Sequence, residues 1–105
     1  FPCRASRPAL THPLAAIVGI AGTTLSADES ALFRQHRPLG AILFRRNVQS
    51  PAQLRALTAA IREELGASAR ILVDQEGGRV ARLRPPHWPA YPPAAHFEHG
   101  ATAAA

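Results

Sequence analysis

The chain has no lysine, no methionine and a single cysteine, Cys3. One thiol cannot close an internal disulfide, so cysteine usage gives no argument for an oxidising compartment. The missing methionine, absent even at position 1, leads us to expect a processed, trimmed or partial chain. No apolar run approaches the ~20 residues of a membrane span. The stretch from Phe1 to His12 carries Arg4 and Arg7 but no apolar segment ahead of a cleavage site, which argues against a signal peptide. Charge is also sparse, at 18% of residues, against ~25% in an average domain.

What charge there is leans one way. All 12 basic residues are Arg and they face 7 acidic ones, for a net +5 and a sequence pI near 11.3. Such a balance raises nucleic acid or an anionic surface as a partner. The lysine-free, alanine- and arginine-rich usage equally fits a GC-rich coding bias, and the arginines are spread over the chain without interleaved aromatics. A length of 105 residues and 11.2 kDa allows one small domain. Apolar residues make up 47%, so a packed core is expected, thinly furnished because so many of them are Ala.

The first residues, 1–13, with Pro2, Pro8 and Pro13, read as a loose leader. Leu14 to Ile20 is apolar throughout, which predicts a strand covered on both faces. Ser26 and Glu29 form a Ser-x-x-Glu capping box, with Asp28 and Glu29 at the positive end of the helix dipole. Leu32 and Phe33 of that helix are expected to face the core, and Pro38 and Gly40 to stop it. Gly40 to Phe44 is a second apolar strand, followed by the polar loop Arg45–Gln49. Ser50, Pro51 and Gln53 are a strong helix start. Leu54, Leu57, Ile61 and Leu65 make one apolar stripe, and Gly66 is a C-terminal cap. Arg70 to Val73 is a third strand that runs into Asp74. Five of the ten prolines fall between Pro85 and Pro93. They predict an extended, semi-rigid segment over 85–105, ending in an Ala-rich stretch.

The β-α-β-α-β order implies parallel strands joined by helical crossovers, either in a doubly wound open sheet or in a (β/α) barrel. In both, polar residues just past the C-terminal ends of the strands are the default functional positions. Three such places exist: Ala21–Thr24, Arg45–Asn47, and the run from Asp74 to Arg82. The third is the richest. Gly77 and Gly78 permit unusual backbone angles and close approach of a ligand. A carboxylate beside a guanidinium, Asp74 with Arg79 or Arg82, suits the hydroxyls of a sugar. It equally suits a structural pair tying a loop. Asp74 and Glu76 as a catalytic carboxylate pair is the weaker reading. The Gly19–Gly22 stretch lacks the third glycine of a dinucleotide fingerprint and any lysine. His12, His36, His87, His96 and His99 have no metal-ligand companions at the required spacing and read as solvated loop histidines. Trp88 and Tyr91 suit stacking on a sugar ring, or packing of their loop on its own domain.

The run Asp74-Gln75-Glu76-Gly77-Gly78-Arg79-Val80, with Gly40 to Val48 upstream, resembles the N-terminal part of glycoside hydrolase family 3. The similarity is to the bacterial β-N-acetylhexosaminidases of cell-wall recycling. Ala21–Leu25 and Pro85–Trp88 fit that subgroup, and the resemblance spans roughly residues 14–98. It implies that residues 14–84 are the first βαβαβ portion of a (β/α)8 TIM-type barrel, incomplete in itself. It implies a retaining enzyme, cytoplasmic and usually monomeric, that removes terminal β-linked N-acetylglucosamine from muropeptides. No cofactor, metal, nucleic acid or membrane is implied; the partner is the small sugar substrate, an N-acetylglucosaminyl-anhydromuropeptide. By position, Asp74 matches the aspartate that binds sugar hydroxyls and Arg82 its arginine partner. Glu76, Gly77, Gly78 and Arg79 match positions that shape the loop. The family's nucleophilic aspartate, its mobile-loop His–Asp pair and its Lys-His pair have no counterpart in these 105 residues. The resemblance therefore implies part of a substrate pocket, no catalytic residue, and inactivity of this chain alone. The alternatives that the residues leave open are a basic nucleic-acid-binding module and a non-catalytic sugar-binding α/β protein.

Overall fold

A computed structural model describes residues 12–98. The expectations for residues 1–11, His99 and the Ala-rich end lie outside that range. Strand β1 (Leu14–Gly19) leads through helix α1 (Ala27–His36) to β2 (Pro38–Leu43). A short 3-10 turn (Arg45–Asn47), helix α2 (Pro51–Leu65) and β3 (Arg70–Val73) follow. A two-stranded ribbon of β4 (Gln75–Gly77) and β5 (Val80–Ala81) comes next, and a second 3-10 turn spans Ala94–Phe97.

Both helices start where the sequence places them. The Ser26 hydroxyl accepts from the Glu29 amide while the Glu29 carboxylate accepts from the Ser26 amide. Ser50 and Gln53 repeat the arrangement around Pro51, which loses nothing by lacking an N–H in the first turn. Helix α2 ends on Gly66, in the left-handed region at φ 100°. Helix α1 ends on Arg37, at φ 48°. This is an uncommon place for a residue with a Cβ. Its surroundings hold it there: the Arg37 amide donates to Phe33 O, and its own carbonyl accepts from Leu14 N at the start of β1. Pro38 then opens β2 rather than merely closing the helix.

The three long strands form a parallel sheet in the order β1-β2-β3. Val18, Ala41 and Ile71 share one register row, and all three lie in or against the core with Ile20, Phe33, Leu43, Leu57, Ile61 and Leu65. Both helices therefore cover the same face of the sheet, and Arg34 Nε of α1 donates to Glu64 Oε1 of α2 at 2.9 Å. The α2 stripe works as its spacing predicts, with Leu57, Ile61 and Leu65 buried and Leu54 partly so. Full burial of each such side chain contributes about 1.5–3 kcal/mol.

Two expectations fail here. Leu32 is 53% exposed while Phe33 beside it is buried, because a 100° step per residue puts only one of two neighbours under the sheet. And the strands are not covered on both faces. The rows on the far side leave Ile17 38% and Leu72 44% exposed, and neither helix reaches them. The apolar sequence of β1 predicts two covered faces, but the described chain provides helices for one.

Gly40 is required by packing. It sits opposite Arg70 across the β2–β3 ladder, and a Cβ there would run into the Arg70 carbonyl group. No described helix is long and apolar enough to cross a membrane.

Candidate functional site

Two of the three loops at the C-terminal ends of the sheet are fastened to each other by side-chain hydrogen bonds. Asn47 is fully buried. Its Nδ2 donates to Ile20 O at 3.0 Å and to Gly22 O at 2.7 Å, and its Oδ1 accepts from Phe44 N at 2.8 Å. The loop after β2 is thereby fastened to the loop after β1. Arg46 reinforces the join: its Nε donates to Ile20 O at 3.0 Å, and its guanidinium lies 5.1 Å from the Phe44 ring centre, a cation–π distance. From the far side, Gln53 Nε2 donates to Thr23 O at 2.8 Å and Asn47 O at 2.9 Å. Glu29 accepts from the Ala21 amide at 2.9 Å. Burial alone would push its carboxyl up. Hydrogen bonds from the Ser26 and Ala21 amides and from the Ser26 side chain outweigh that and hold it below the ordinary value.

The third loop is not loose. It is the β4–β5 ribbon, turning at Gly78–Arg79, with Gln75 as its internal clamp. Gln75 Oε1 accepts from the Arg82 and Leu83 amides at 3.0 and 3.1 Å, and its Nε2 donates to Leu83 O at 2.9 Å. Gly77 and Gly78 have φ of 88° and 60°. The close approach expected at these glycines is made by the chain itself. A Cβ on Gly77 would strike the Pro92 carbonyl, and the Gly78 amide donates to Tyr91 O at 2.9 Å. The Pro-rich segment thus folds back over the ribbon, after a turn containing a cis Pro85–Pro86 bond.

Asp74 stands between β3 and β4, half-buried. Arg82 Nη2 donates to Asp74 Oδ2 at 3.4 Å, with the side chains 25% and 40% exposed for Arg82 and Asp74. This is the guanidinium–carboxylate pair anticipated from sequence, at the mouth of the strand ends. Arg82 rather than Arg79 is the partner; Arg79 is exposed on the ribbon turn and lines a separate shallow cleft with Glu76. Glu76 is exposed, and among the described residues nothing pairs it with Asp74. Among those residues, too, no group of three His, Cys, Asp or Glu side chains is placed to hold a metal ion. His87 and Trp88 meet edge to face, 5.7 Å between ring centres, on the turn beside Arg82; Tyr91 is 63% exposed.

Sequence reasoning missed Asn47 and Gln75. Asn47 had one signal, a short polar residue three places beyond the apolar run that ends at Phe44, in an otherwise cationic loop. Gln75 had none apart from its position between Asp74 and the glycines.

No family model matches the chain. It is 53% identical over 68 residues to a β-hexosaminidase of Alkalilimnicola ehrlichii, covering 65% of this chain and 20% of that protein. It is 46% identical over 67 residues to one of Xylella fastidiosa, covering 64% and 20%. Among solved structures it resembles NagZ of Neisseria gonorrhoeae, with TM-score 0.63 and 37% identity over 70% of this chain and 22% of that one. That protein has been seen in complex with N-trifluoroacetyl-D-glucosamine. It also resembles a glycoside hydrolase family 3 β-N-acetylglucosaminidase of Paenibacillus, with TM-score 0.59 and 36% identity over 65% and 14%. The chain spans about a fifth of the length of the curated relatives it matches. By sequence and by fold it is, over that fifth, similar to β-hexosaminidases and to a glycoside hydrolase family 3 β-N-acetylglucosaminidase.

Proposed function

We infer that this chain supplies part of the sugar pocket of a β-N-acetylhexosaminidase, a glycoside hydrolase that releases terminal β-linked N-acetylglucosamine. The single observation that carries the reading is the Asp74–Arg82 pair, half-buried at the C-terminal end of a parallel strand. Ligands of α/β folds gather at that end. A carboxylate accepts from two adjacent hydroxyls, and a guanidinium donates to a third oxygen through a planar fork. At 3.4 Å the contact is a long hydrogen bond, so each partner keeps capacity for a ligand oxygen. Its partly exposed carboxylate keeps lone pairs for a ligand.

The sheet order and the uncovered apolar face agree with the first three strands of a (β/α)8 barrel, in which that face lines the interior. The parent reaction in this reading is retaining hydrolysis of muropeptide-derived glycosides in peptidoglycan recycling, in the cytoplasm and without a cofactor. Asp74 and Arg82 would bind the non-reducing sugar; the nucleophile and the acid/base would come from chain that the relatives have beyond this fifth. The enzyme reading is favoured over a nucleic-acid-binding one because Arg34, Arg37, Arg46 and Arg82 are engaged by acceptors within the chain.

The test is a chimera in which this chain replaces the matching segment of the Alkalilimnicola relative. It is expected to release the chromophore from an aryl β-N-acetylglucosaminide, whereas the 105-residue chain alone releases none. Asp74→Ala in the chimera removes hydrogen bonds to a charged group, each worth about 1.5–3 kcal/mol, so kcat/KM should fall at least tenfold. A folded chimera that is inactive, or one indifferent to Asp74→Ala, sinks the reading.

A further inference from the structure

Beside the Asp74–Arg82 pair lies a second concavity of about 220 Å3, between the loop after β2 and the turn after β5. Arg45 and Gln49 line one wall, Arg82 and Arg84 the other, and His87 and Trp88 close the end. Three arginines line it, one of them the Asp74 partner Arg82, and no carboxylate does. Arg45 and Arg84 are exposed and reach the cleft from separate loops. The backbone that carries them is fixed: the 3-10 turn holds Arg45, with the Val48 amide donating to Arg45 O at 3.1 Å. The turn after β5 holds Arg84, with the Trp88 amide donating to Arg84 O at 3.2 Å.

A second observation is independent of the charge count. Arg82 Nε is buried and meets no acceptor among the described residues. Only its Nη2 is used, on Asp74. A buried cationic donor without an acceptor is unfavourable, and it is relieved by an anion that reaches it.

We propose that this cleft is an oxyanion subsite, taking a carboxylate or phosphate carried by the same ligand whose sugar is held by Asp74 and Arg82. Guanidinium forks match the planar carboxylate and the phosphate face in two-point contacts. Arg45 and Arg84 then determine specificity, favouring acidic over neutral ligands. The link to a sugar rests on the function proposed above; the anion site itself does not.

The 105-residue chain is titrated calorimetrically, which reads binding at either site, with N-acetylglucosamine, N-acetylmuramic acid, N-acetylglucosamine 6-phosphate, acetate and inorganic phosphate. Trp88, the sole tryptophan, lines the cleft, so its emission reports occupancy there. At least one acidic sugar is expected to bind tenfold or more tighter than the neutral sugar and to shift Trp88 emission. Which of the two acts identifies carboxylate or phosphate as the natural group. Arg45→Ala and Arg84→Ala should each cut that advantage at least threefold, leave N-acetylglucosamine binding unchanged, and keep the circular dichroism of the parent. Equal binding of neutral and acidic sugars, or an advantage that survives in the folded double variant, overturns the subsite and leaves the sugar site standing. A response to acetate or phosphate with none to N-acetylglucosamine does the reverse: it supports the anion site and overturns the sugar site.

Discussion

The side-chain amide of Asn47 bridges two backbone carbonyls from a different loop, Ile20 O and Gly22 O, while its own oxygen receives the Phe44 amide. One fully buried residue therefore satisfies three main-chain groups that no ladder or helix serves. It fixes the spacing of two of the three strand-end loops.

Replacing Asn47 by Ala should accordingly cost about 2–4 kcal/mol of unfolding free energy, because each stranded buried group carries its desolvation penalty. Urea denaturation measures this. Asn47→Asp should be no better, since a carboxylate cannot donate to the two carbonyls. A loss below about 0.5 kcal/mol, the range of ordinary surface substitutions, would remove Asn47 from this role.

Gly40 and Gly22 should part company when changed to Ala. The first would push a methyl group into the Arg70 carbonyl and separate β2 from β3; the second meets nothing within 4 Å. Overpacking of the first kind costs about 1–3 kcal/mol or more. Gly22→Ala is expected to stay within about 0.5 kcal/mol of the parent. Thermal melts of the two variants side by side make the comparison.

The pH dependence of stability should carry a signature of Glu29. Its folded-state pKa lies below the ordinary value of 4.5. A depressed carboxyl stabilises the fold above the unfolded-state pKa, and that contribution disappears as pH falls through the folded-state value. Glu29→Gln should therefore be less stable than the parent at neutral pH. The difference should shrink once the pH drops below about 4.5 and continue to shrink toward the folded-state pKa. A gap that stays constant from pH 7 to pH 3 would contradict the assignment.

The far face of the sheet predicts the behaviour of the chain in solution. Ile17 and Leu72 stand 38% and 44% exposed there, and Leu14 is 53% exposed at the end of β1. Strands β1 and β3 are also edges of the sheet, and exposed apolar edges recruit other chains. The chain should bind a hydrophobic dye and self-associate with rising concentration. Light scattering should show a larger monomer fraction for Ile17→Lys/Leu72→Lys. A parent that is monomeric at high concentration and melts cooperatively would defeat this expectation.

What could be read directly from the sequence was local. The capping boxes at Ser26/Glu29 and Ser50/Gln53, the α2 stripe and the Gly66 cap depend on neighbours three or four residues away, and all form as expected. The Asp74–Arg82 pair was within reach because a short ribbon brings residues eight apart face to face. The sequence alone does not separate the ribbon from a loop, although Gly77–Gly78 between two short runs is the composition of a tight turn. Leu32 and Phe33 are both apolar, and only the position of the sheet decides between them. The sequence around Gly40 predicts a helix stop, while its packing constraint, the carbonyl of Arg70, lies thirty positions away. The hold of Asn47 on the β1 loop is likewise invisible to any short window.

Arg82 is shared: it pairs with Asp74 and it also lines the arginine cleft proposed to take an anion. Two guests that share a single guanidinium are thermodynamically tied. Whatever factor an acid in the one recess applies to the affinity for a hydroxylated ring in the other, the ring applies to the acid in return.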